Sequence, residues 1–372
     1  MKLLPLLGAV AFYGLPNVTT FDNGPLIERA MANLGVGQFL SMTTGATYYV
    51  KNVRLPNFSD LKARYYGAAA GEVTIKRMSG GDTDYMVAPE RWLTANANKA
   101  FASSPMNPVG ILFDGSNIAK YPLVIKNYQQ IHERVQVIGA TSAGSNWCFT
   151  RQNQDASDGT TGFLSACIFD RCKFAGQTSD TAGTGFISLG LAGSPNEGPT
   201  DASMLACEVY NVATGIYLSN QVGWIIQGCF TYTHATAAIR IRMFSSKSPG
   251  SIEGNIVDGT FAFVIDGVNC AYGPCRLGQN TIYNPCRVTF SANSNNEVFI
   301  VDNPTMTVDQ PTAAVASYWE HMTDRSQKML IMDRGNVSTT TPVRLASGNT
   351  NGVIKWRSVT GPSLTSPYLT DL

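Results

Sequence analysis

Aromatic and acidic side chains recur at fixed positions after a repeated cysteine or asparagine in the middle of the chain. Tyr210, Tyr232 and Asp258 each follow such a residue by three positions, and Glu208 follows one directly. Aromatic rings bind the apolar faces of sugars, and carboxylates accept hydrogen bonds from sugar hydroxyls. The pattern therefore predicts an outward saccharide-binding face, provided that the surrounding elements bring these side chains together.

Arg240 and Asp266 are two further candidates for substrate binding, on the segments that follow Tyr232 and Asp258. They are suited to hold an acidic sugar, or they form surface ion pairs of little energetic value. The whole face also has a second interpretation. Its aromatic and acidic side chains either decorate the exterior of a repeat or are covered by another copy of the chain.

Asp170 and Glu208 are the candidate catalytic pair. Asp170 follows Cys167 by three positions, one repeat before Glu208. Cleavage of a glycosidic bond uses two carboxyl groups about 5 to 9.5 Å apart, and neighbouring strands lie about 4.8 Å apart. The two carboxylates could therefore act as a hydrolase pair. A lyase would instead need a base near a cation, and Tyr210 with Arg240 is the candidate set for that chemistry.

Other catalytic signatures are absent from the sequence, including a Ser-His-Asp order, a P-loop, Gly-x-Gly-x-x-Gly and His-Glu-x-x-His. His132, His234 and His321 lie in different segments, and each is predicted to be a turn or surface residue. Cys167 and Cys172 lack the spacing of zinc ligands, and no histidine pair accompanies them. The sequence therefore predicts neither a metal site nor a cofactor.

A repeat of 22 to 26 residues supplies the elements that position these side chains. Its anchors are Cys207, Cys229, Asn255, Asn280 and Asn303. Side chains alternate across a strand, so the anchors and later apolar pairs such as Ile216 and Leu218 should point inward and stack from unit to unit. Units this short bury a core only when they are stacked as a solenoid. The eight cysteines are predicted to be interior, reduced and structural.

These repeats resemble the pectate-lyase-like superfamily of right-handed parallel β-helices. The front of the chain resembles the start of the helix in phage tailspikes and polysaccharide depolymerases of that superfamily: residues 22–25 (Asp-Asn-Gly-Pro) precede an amphipathic segment, and residues 45–48 (Gly-Ala-Thr-Tyr) begin a strand. Pro25 suits a first helical turn. The resemblance implies an all-β fold, a right-handed single-stranded parallel β-helix with an N-terminal capping helix and a small C-terminal β-rich element.

Three regions are predicted along the chain. Residues 1–34 would form an N-terminal virion-attachment segment and the capping helix, residues 35–305 the β-helix, and residues 306–372 a C-terminal trimerisation or tip element. The repeat is expected to stop after Asn303, and tailspikes of this type commonly end in a segment that joins three chains, which implies a homotrimer. Residues 1–11 imitate a short secretion signal, but Pro5 interrupts the apolar run, so an ordinary packed segment is predicted.

The amino-acid composition disfavours some classes of binding partner. The chain of 372 residues has 27 basic and 26 acidic side chains, a net charge of +1, and 14% charged residues, whereas roughly 25% is usual. This balance favours neither nucleic acid nor an anionic membrane as a partner. No apolar stretch approaches the roughly 18 residues of a transmembrane helix, so no membrane insertion is predicted.

The resemblance implies a bacteriophage tailspike, a receptor-binding virion protein that recognises a bacterial surface polysaccharide with or without cleaving it. Other tail proteins would be partners through the N-terminal segment, and the chain would reach the virion after synthesis in the host cytoplasm. Two alternatives stay open: a secreted carbohydrate-active enzyme, either a polysaccharide lyase or a glycoside hydrolase, and a non-catalytic structural virion protein. Unpaired interior thiols favour the tailspike, whereas disulfides would favour the secreted enzyme.

Overall fold

The structure is a computed structural model of the 372-residue chain. It describes residues 8–34, 38–55, 65–67, 73–90, 109–125, 131–150, 167–176, 182–189, 202–219, 223–245, 250–269, 275–284, 286–290, 298–302, 305–307, 319–321, 329–333, 336–337, 343–345, 353–357 and 369–371.

Nearly all described elements are strands. The N-terminal third forms, in chain order, β1 (Gly8–Ala11), α1 (Gly24–Ala32), β2 (Gln38–Ser41), β3 (Thr47–Val50), β4 (Val53–Leu55), β5 (Tyr65–Gly67), β6 (Val73–Arg77), β7 (Tyr85–Pro89), β8 (Ile111–Asp114) and β9 (Tyr121–Ile125). The middle forms β10 (Ile131–Glu133), β11 (Gln136–Ile138), β12 (Ser145–Thr150), β13 (Ile168–Asp170), β14 (Lys173–Ala175), β15 (Thr184–Leu189), β16 (Ser203–Leu205), β17 (Glu208–Ser219), β18 (Ile225–Gln227), β19 (Phe230–Ser245), β20 (Ser251–Glu253), β21 (Ile256–Val257) and β22 (Phe261–Asn269). The remainder forms β23 (Cys275–Leu277), β24 (Thr281–Tyr283), β25 (Cys286–Phe290), β26 (Val298–Asp302), β27 (Thr305–Thr307), β28 (Trp319–His321), β29 (Met329–Asp333), β30 (Asn336–Val337), β31 (Val343–Leu345), β32 (Val353–Arg357) and β33 (Leu369–Asp371).

The central coils of the chain contribute strands to three faces, called sheets A, B and C here, and within each face the strands of successive coils pair in parallel. Sheet A contains β10, β13, β16, β18 and β20. Sheet B contains β8, β11, β14, the first part of β17 and of β19, β21 and β24. Sheet C contains β9, β12, β15, the second part of β17 and of β19, β22 and β25. The fold is therefore the right-handed parallel β-helix that the sequence predicts.

A tight turn joins sheet A to sheet B in every central coil, and its last residue before the inward anchor has a left-handed backbone. The φ angle is +50° at Ala206, +64° at Gly228 and +67° at Gly254. Glycine adopts this conformation without steric cost. The turn takes the chain from sheet A to sheet B over two residues, so the following strand of each coil starts at the same register.

The predicted inward ladder is confirmed for its four described anchors. Glu208 pairs with Phe230, Phe230 with Ile256, and Ile256 with Thr281, so the preceding residues stack: Cys207, Cys229, Asn255 and Asn280. All four are buried. Asn303 lies outside the described residues.

The interior is aromatic at the level of β10 to β15. Trp147 lies with its ring centroid 5.1 Å from Phe169, 5.0 Å from Phe174 and 5.2 Å from His132. His132 is fully buried and His234 is 4% exposed. The prediction of surface or turn positions is wrong for these two, because both side chains project into the stacked core. The side chain of His321 lies outside the description.

Helix α1 closes the N-terminal end of the core, as the sequence predicts. Pro25 lies in its first turn, and Ile27 and Met31 are buried against the β-helix. The Glu28 carboxylate accepts a hydrogen bond from the Arg54 backbone N–H at 2.7 Å. An otherwise open parallel edge is thereby covered, which blocks pairing with another chain at this end.

The coils continue beyond both predicted boundaries of the helical region. Strand β1 pairs with β2 in parallel, so residues 8–11 belong to the stack. After residue 305, β27 pairs with β30, β28 with β31, and β29 with β32. The expectation that the repeat stops after Asn303 is therefore wrong. Leu330 pairs with Phe299, 31 positions earlier, so longer connections hide the repeat in the sequence while backbone pairing persists.

Six cysteines are buried and form no disulfide: Cys167, Cys172, Cys207, Cys229, Cys275 and Cys286. The prediction of reduced interior thiols is confirmed for these six. The side chains of Cys148 and Cys270 lie outside the description. Burial raises the pKa of the Cys207 thiol well above its ordinary value, so it stays protonated and unreactive. Within the described residues, no helix is long and apolar enough to cross a bilayer.

Candidate functional site

Four outward side chains of sheet B form one group, the tyrosine cluster, which consists of Lys173, Glu208, Tyr210 and Tyr232. Lys173 pairs with Glu208, and Tyr210 pairs with Tyr232 on the next coil. The two tyrosine rings are stacked, with centroids 5.0 Å apart and planes inclined by 3°. This spacing follows from the fold, because the same register position on successive coils repeats at about 4.8 Å.

Hydrogen bonds and charges connect the cluster. Glu208 Oε2 lies 3.1 Å from Lys173 Nζ, and the Tyr232 hydroxyl donates to Glu208 Oε1 at 2.9 Å. Lys173 Nζ also lies 4.8 Å from the centre of the Tyr210 ring. A hydrogen bond with Tyr210 and the charge of Glu208 raise the pKa of Lys173. Burial, together with the bond to Glu208, raises the pKa of Tyr232 to about 12. The ammonium and the phenol thus both stay protonated at neutral pH.

Phe230 supplies the exposed aromatic surface beside this cluster. Tyr210 and Tyr232 stack on each other, so one face of each ring is covered by the other ring. Phe230 stands next to Glu208 in register, and half of its surface (50%) is exposed. An exposed aromatic ring beside convergent hydrogen-bonding groups matches the two kinds of surface that a sugar ring presents.

Asp258 continues the outward row one coil beyond Tyr232, as predicted. Its backbone N–H donates to the Thr231 carbonyl at 2.8 Å. The Asn284 amide donates to Asp258 Oδ1 at 2.6 Å. This carboxylate is therefore held in place by the following coil.

Arg240 and Asp266 meet on sheet C, across the turn from the tyrosine cluster. Arg240 Nε and Nη2 donate to Asp266 Oδ2 at 2.8 and 2.7 Å, and the guanidinium lies 5.3 Å from the centre of the Tyr217 ring. The side chains of the pair are 42% and 33% exposed, so its contribution to stability is small. The structure brings the pair together as predicted, but on a different sheet from Tyr210 and Tyr232.

Asp170 does not share a face with Glu208. It ends β13 in sheet A, where it pairs with Glu133 and Leu205, and its carboxylate lies 2.6 Å from Arg171 Nη2. Glu208 begins a strand of sheet B, beyond the tight turn. The expectation that Asp170 and Glu208 lie on neighbouring strands of one face is therefore wrong.

The register explains this error. Lys173 pairs with Glu208, so Cys172 and not Cys167 is the anchor of its coil. Both cysteines begin a Cys-x-Phe string, Cys167 with Phe169 and Cys172 with Phe174. Both phenylalanines are buried, so the local pattern fits either choice.

Sequence reasoning overlooks Lys173 and Tyr217. Lys173 becomes recognisable as a partner of Glu208 once Cys172 is taken as the anchor. Tyr217 stands between Ile216 and Leu218, which both point inward, so the alternation itself marks it as outward. In the described part of the chain, no three His, Cys, Asp or Glu side chains lie close enough to hold a metal ion.

Comparisons with known proteins identify the fold. No family model matches the sequence, and no curated protein matches it. Among solved structures, the chain is similar to the Agl-KA catalytic domain, with 10% identity over 98% of this chain and 67% of that chain and a TM-score of 0.58. It is also similar to the A-module of the Azotobacter vinelandii mannuronan C-5 epimerase AlgE4, with 10% identity over 97% and 98% of the two chains and a TM-score of 0.50.

Tailspike protein 3 of bacteriophage CBA120 is a further match, with 11% identity, 95% of this chain covered and a TM-score of 0.46. The chain spans 61% of the length of that tailspike. The matches with TM-scores of 0.58 and 0.50 agree with the parallel β-helix described above, so the sequence prediction of that architecture is confirmed. At these identities the likeness concerns the fold, so the function has to be argued from the site.

Proposed function

We propose that the chain binds a saccharide on the outward face of sheet B, at Phe230 and the tyrosine cluster. The observation that carries the proposal is the half-exposed ring of Phe230 beside the Lys173–Glu208–Tyr232 network. The ring offers an apolar contact to the C–H face of a sugar. The Lys173 ammonium is a hydrogen-bond donor and the Glu208 carboxylate is an acceptor. A sugar hydroxyl, which both donates and accepts, could therefore bind to these two neighbouring side chains.

The biological setting that we propose is a bacteriophage tailspike, a virion protein whose ligand is a bacterial surface polysaccharide. The absence of disulfides among the six described cysteines supports synthesis in a reducing cytoplasm. Residues 1–34 would attach the chain to other tail proteins, and Tyr13 and Leu15, 88% and 48% exposed, offer apolar contacts there. The chain would assemble as a homotrimer, with residues 306–372 contributing to the assembly; the mass in solution tests this.

Cleavage of the saccharide is a separate question, and the roles of Asp170 and Glu208 as catalytic carboxylates stay predictions. Their positions on different sheets do not favour a concerted pair, and each is engaged by a cation, Arg171 and Lys173 respectively. Binding is therefore the function that the geometry supports best. A wild-type chain that degrades its polysaccharide, together with an inactive Glu208→Gln variant that still binds, would add hydrolysis or elimination to the proposal.

The test is binding to a panel of purified bacterial surface polysaccharides, measured by calorimetry. For a polysaccharide that the wild type binds, Phe230→Ala should weaken binding by roughly 1 kcal/mol or more, because an aromatic contact is lost. Tyr232→Ala should weaken it to a similar extent by removing a stacked ring and the donor to Glu208. Phe230 is exposed, so its loss should leave the thermal unfolding curve unchanged.

Tyr13→Ala is the matched control, because it removes an exposed aromatic ring at the N-terminal end, away from sheet B. It should bind like the wild type. Unchanged binding by both Phe230→Ala and Tyr232→Ala would show that the site lies elsewhere. Failure of the wild type to bind any member of the panel would overturn the proposed function.

A further inference from the structure

Three arginines are concentrated on the outward face of sheet C. This group, called the arginine face, consists of Arg240, Arg242 and Arg287. Arg240 and Arg287 belong to one outward row with Val264 between them, and Arg242 pairs in register with Asp266 in the neighbouring row. Strands of successive coils lie about 4.8 Å apart, so the three arginines occupy a patch that is only three coils high.

The positive charge of this face is local. Three guanidinium groups accompany one carboxylate, that of Asp266, which leaves an excess of two positive charges on three coils. The whole chain of 372 residues has a net charge of +1. Glu320 and Arg344 follow in the row of Arg287, and they add one acid and one base, so the balance is unchanged. A local excess of positive charge attracts anions.

Two of the guanidinium groups are held against aromatic rings. The Arg240 guanidinium lies 5.3 Å from the centre of the Tyr217 ring, and that of Arg287 lies 4.3 Å from the centre of the Phe261 ring. Cation–π contacts of this kind restrict two long side chains before any ligand arrives. Less conformational entropy is then lost on binding, which favours affinity.

Arg242 is the guanidinium that remains available to a ligand. Its side chain is exposed, and the neighbouring carboxylate of Asp266 is bound instead by Arg240, whose Nε and Nη2 both donate to Asp266 Oδ2. Within the part of the chain that the structure describes, Arg242 has no carboxylate partner. The Arg240–Asp266 pair also shows the kind of group that this face accepts, because the anion already held there is a carboxylate.

The size of the charge excess indicates the class of anion. Two positive charges suit singly charged carboxylates spaced along a ligand. A phosphate monoester carries close to two negative charges, and the Asp266 carboxylate would repel it more strongly than a single charge. Duplex nucleic acid carries one charge about every 1.7 Å along its axis, so it would require a much longer basic surface.

We infer that the arginine face is a second ligand-binding surface, separate from the tyrosine cluster, and that it selects glycans that carry carboxylate groups. That the ligand is a glycan rests on the proposed function, whereas its acidity rests on the arginine face alone. Arg240 and Arg287 stand two coils, or about 10 Å, apart. Carboxylates repeated along a glycan that lies parallel to the stacking direction of the coils therefore reach more than one guanidinium, and each adds a charge-assisted hydrogen bond.

The experiment compares purified acidic bacterial polysaccharides with their carboxyl-reduced forms, in which each carboxylate is converted to a primary alcohol. In calorimetry, the wild type should bind an acidic polysaccharide more tightly than its reduced form. Arg242→Gln should weaken binding of the acidic form by about fivefold, the scale of an exposed ion pair, and should leave binding of the reduced form unchanged. Arg29→Gln is the matched control, because Arg29 is exposed on α1 and its loss changes the net charge equally. It should bind both forms like the wild type.

Equal binding of the acidic form by Arg242→Gln and the wild type would overturn the arginine face, and weaker binding by Phe230→Ala in the same assay would leave the proposed function standing. Weaker binding by Arg242→Gln but not by Phe230→Ala would support the arginine face and overturn the tyrosine cluster as a site. Equal losses in Arg242→Gln and Arg29→Gln would show general charge attraction and overturn the inference. Tighter binding of inorganic polyphosphate than of every acidic polysaccharide would overturn the carboxylate class, and absence of any glycan binding would overturn both proposals.

Discussion

At the scale of single residues, His132 is a titratable side chain buried in an aromatic environment. Its ring is fully buried, stacked on Phe169 and edge-on to Trp147. Neither ring nitrogen has a hydrogen-bond partner among the described residues. Burial lowers the pKa of His132 to about 3, because an imidazolium here would lose its hydration without gaining a partner.

This burial makes the fold sensitive to acid. The folded pKa lies below the unfolded value of 6.5, so between pH 6.5 and about 3 the unfolded chain binds a proton that the folded chain excludes. Stability is complete above about pH 6.5 and falls as the pH decreases. From pH 7 to pH 4 the contribution of His132 should fall by about 3 kcal/mol. His234, whose pKa burial lowers to about 4, adds a loss in the same direction.

The check is thermal unfolding at pH 7 and at pH 4 for the wild type and His132→Phe. The variant retains an aromatic side chain at this position but has no titratable group. Its melting temperature should therefore decrease less than that of the wild type between pH 7 and pH 4. The difference between the two pH values is the readout, so an overall packing penalty in the variant does not affect it. Equal acid sensitivity of the two proteins would show that His132 is not responsible.

At the scale of elements, asparagines join the tight turns of successive coils. Asn255 Oδ1 accepts from the Cys229 N–H at 2.9 Å, and its Nδ2 donates to the Ile226 carbonyl and to Asn280 Oδ1 at 3.0 and 2.9 Å. Asn280 in turn donates to the Ile252 carbonyl at 3.0 Å. The backbone N–H and carbonyl groups at the turn cannot all form hydrogen bonds between strands. The asparagine side chains supply the missing hydrogen bonds inside the core.

Asn255→Ala should lower the free energy of unfolding by about 3 kcal/mol, because the buried N–H, carbonyl and amide partners lose their bonds together. Gln227→Ala, an exposed position of sheet A one coil earlier, should change it by less than about 0.5 kcal/mol. Urea denaturation of the wild type, Asn255→Ala and Gln227→Ala measures the free energies of unfolding to be compared. A small effect at Asn255 would mean that the turn is held by backbone bonds alone.

At the scale of the whole molecule, sheet A carries an outward apolar row that suggests how copies would meet. Ile131 pairs with Ile168, and two coils later Ile225 occupies the same row. Ile131 and Ile225 are 52% and 41% exposed. Burial of these two side chains in a contact between copies would remove apolar surface from water and so favour association.

For the proposed homotrimer, light scattering of the purified chain should give three times the mass of one chain. Ile225→Asp should reduce that mass to a single chain while the circular dichroism spectrum is retained, because the charge would be buried unpaired in the contact. Phe230→Asp on sheet B is the matched control and should remain trimeric. A monomeric wild type would remove the trimer from the proposal.

Much of the fold is predictable because it depends on local alternation repeated at a constant interval. The inward positions of Cys207, Cys229, Asn255 and Asn280 follow from a period of 22 to 26 residues, and so do those of Ile216 and Leu218. The start of α1 follows from Pro25 and the amphipathic residues after it. These features need only a local pattern and the requirement that each unit be covered by the next.

The rest depends on which strands pair, and only the tertiary structure decides that. Two equivalent Cys-x-Phe strings left the register of the coil at Cys172 open, and backbone pairing moved Asp170 to sheet A and made Lys173 the neighbour of Glu208. The sequence by itself determined the solenoid, its inward ladder and the outward tyrosines. The structure decided the partners of those tyrosines, the burial of His132 and the continuation of the coils after residue 305. These depend on contacts between residues far apart in the chain, which a local period does not encode.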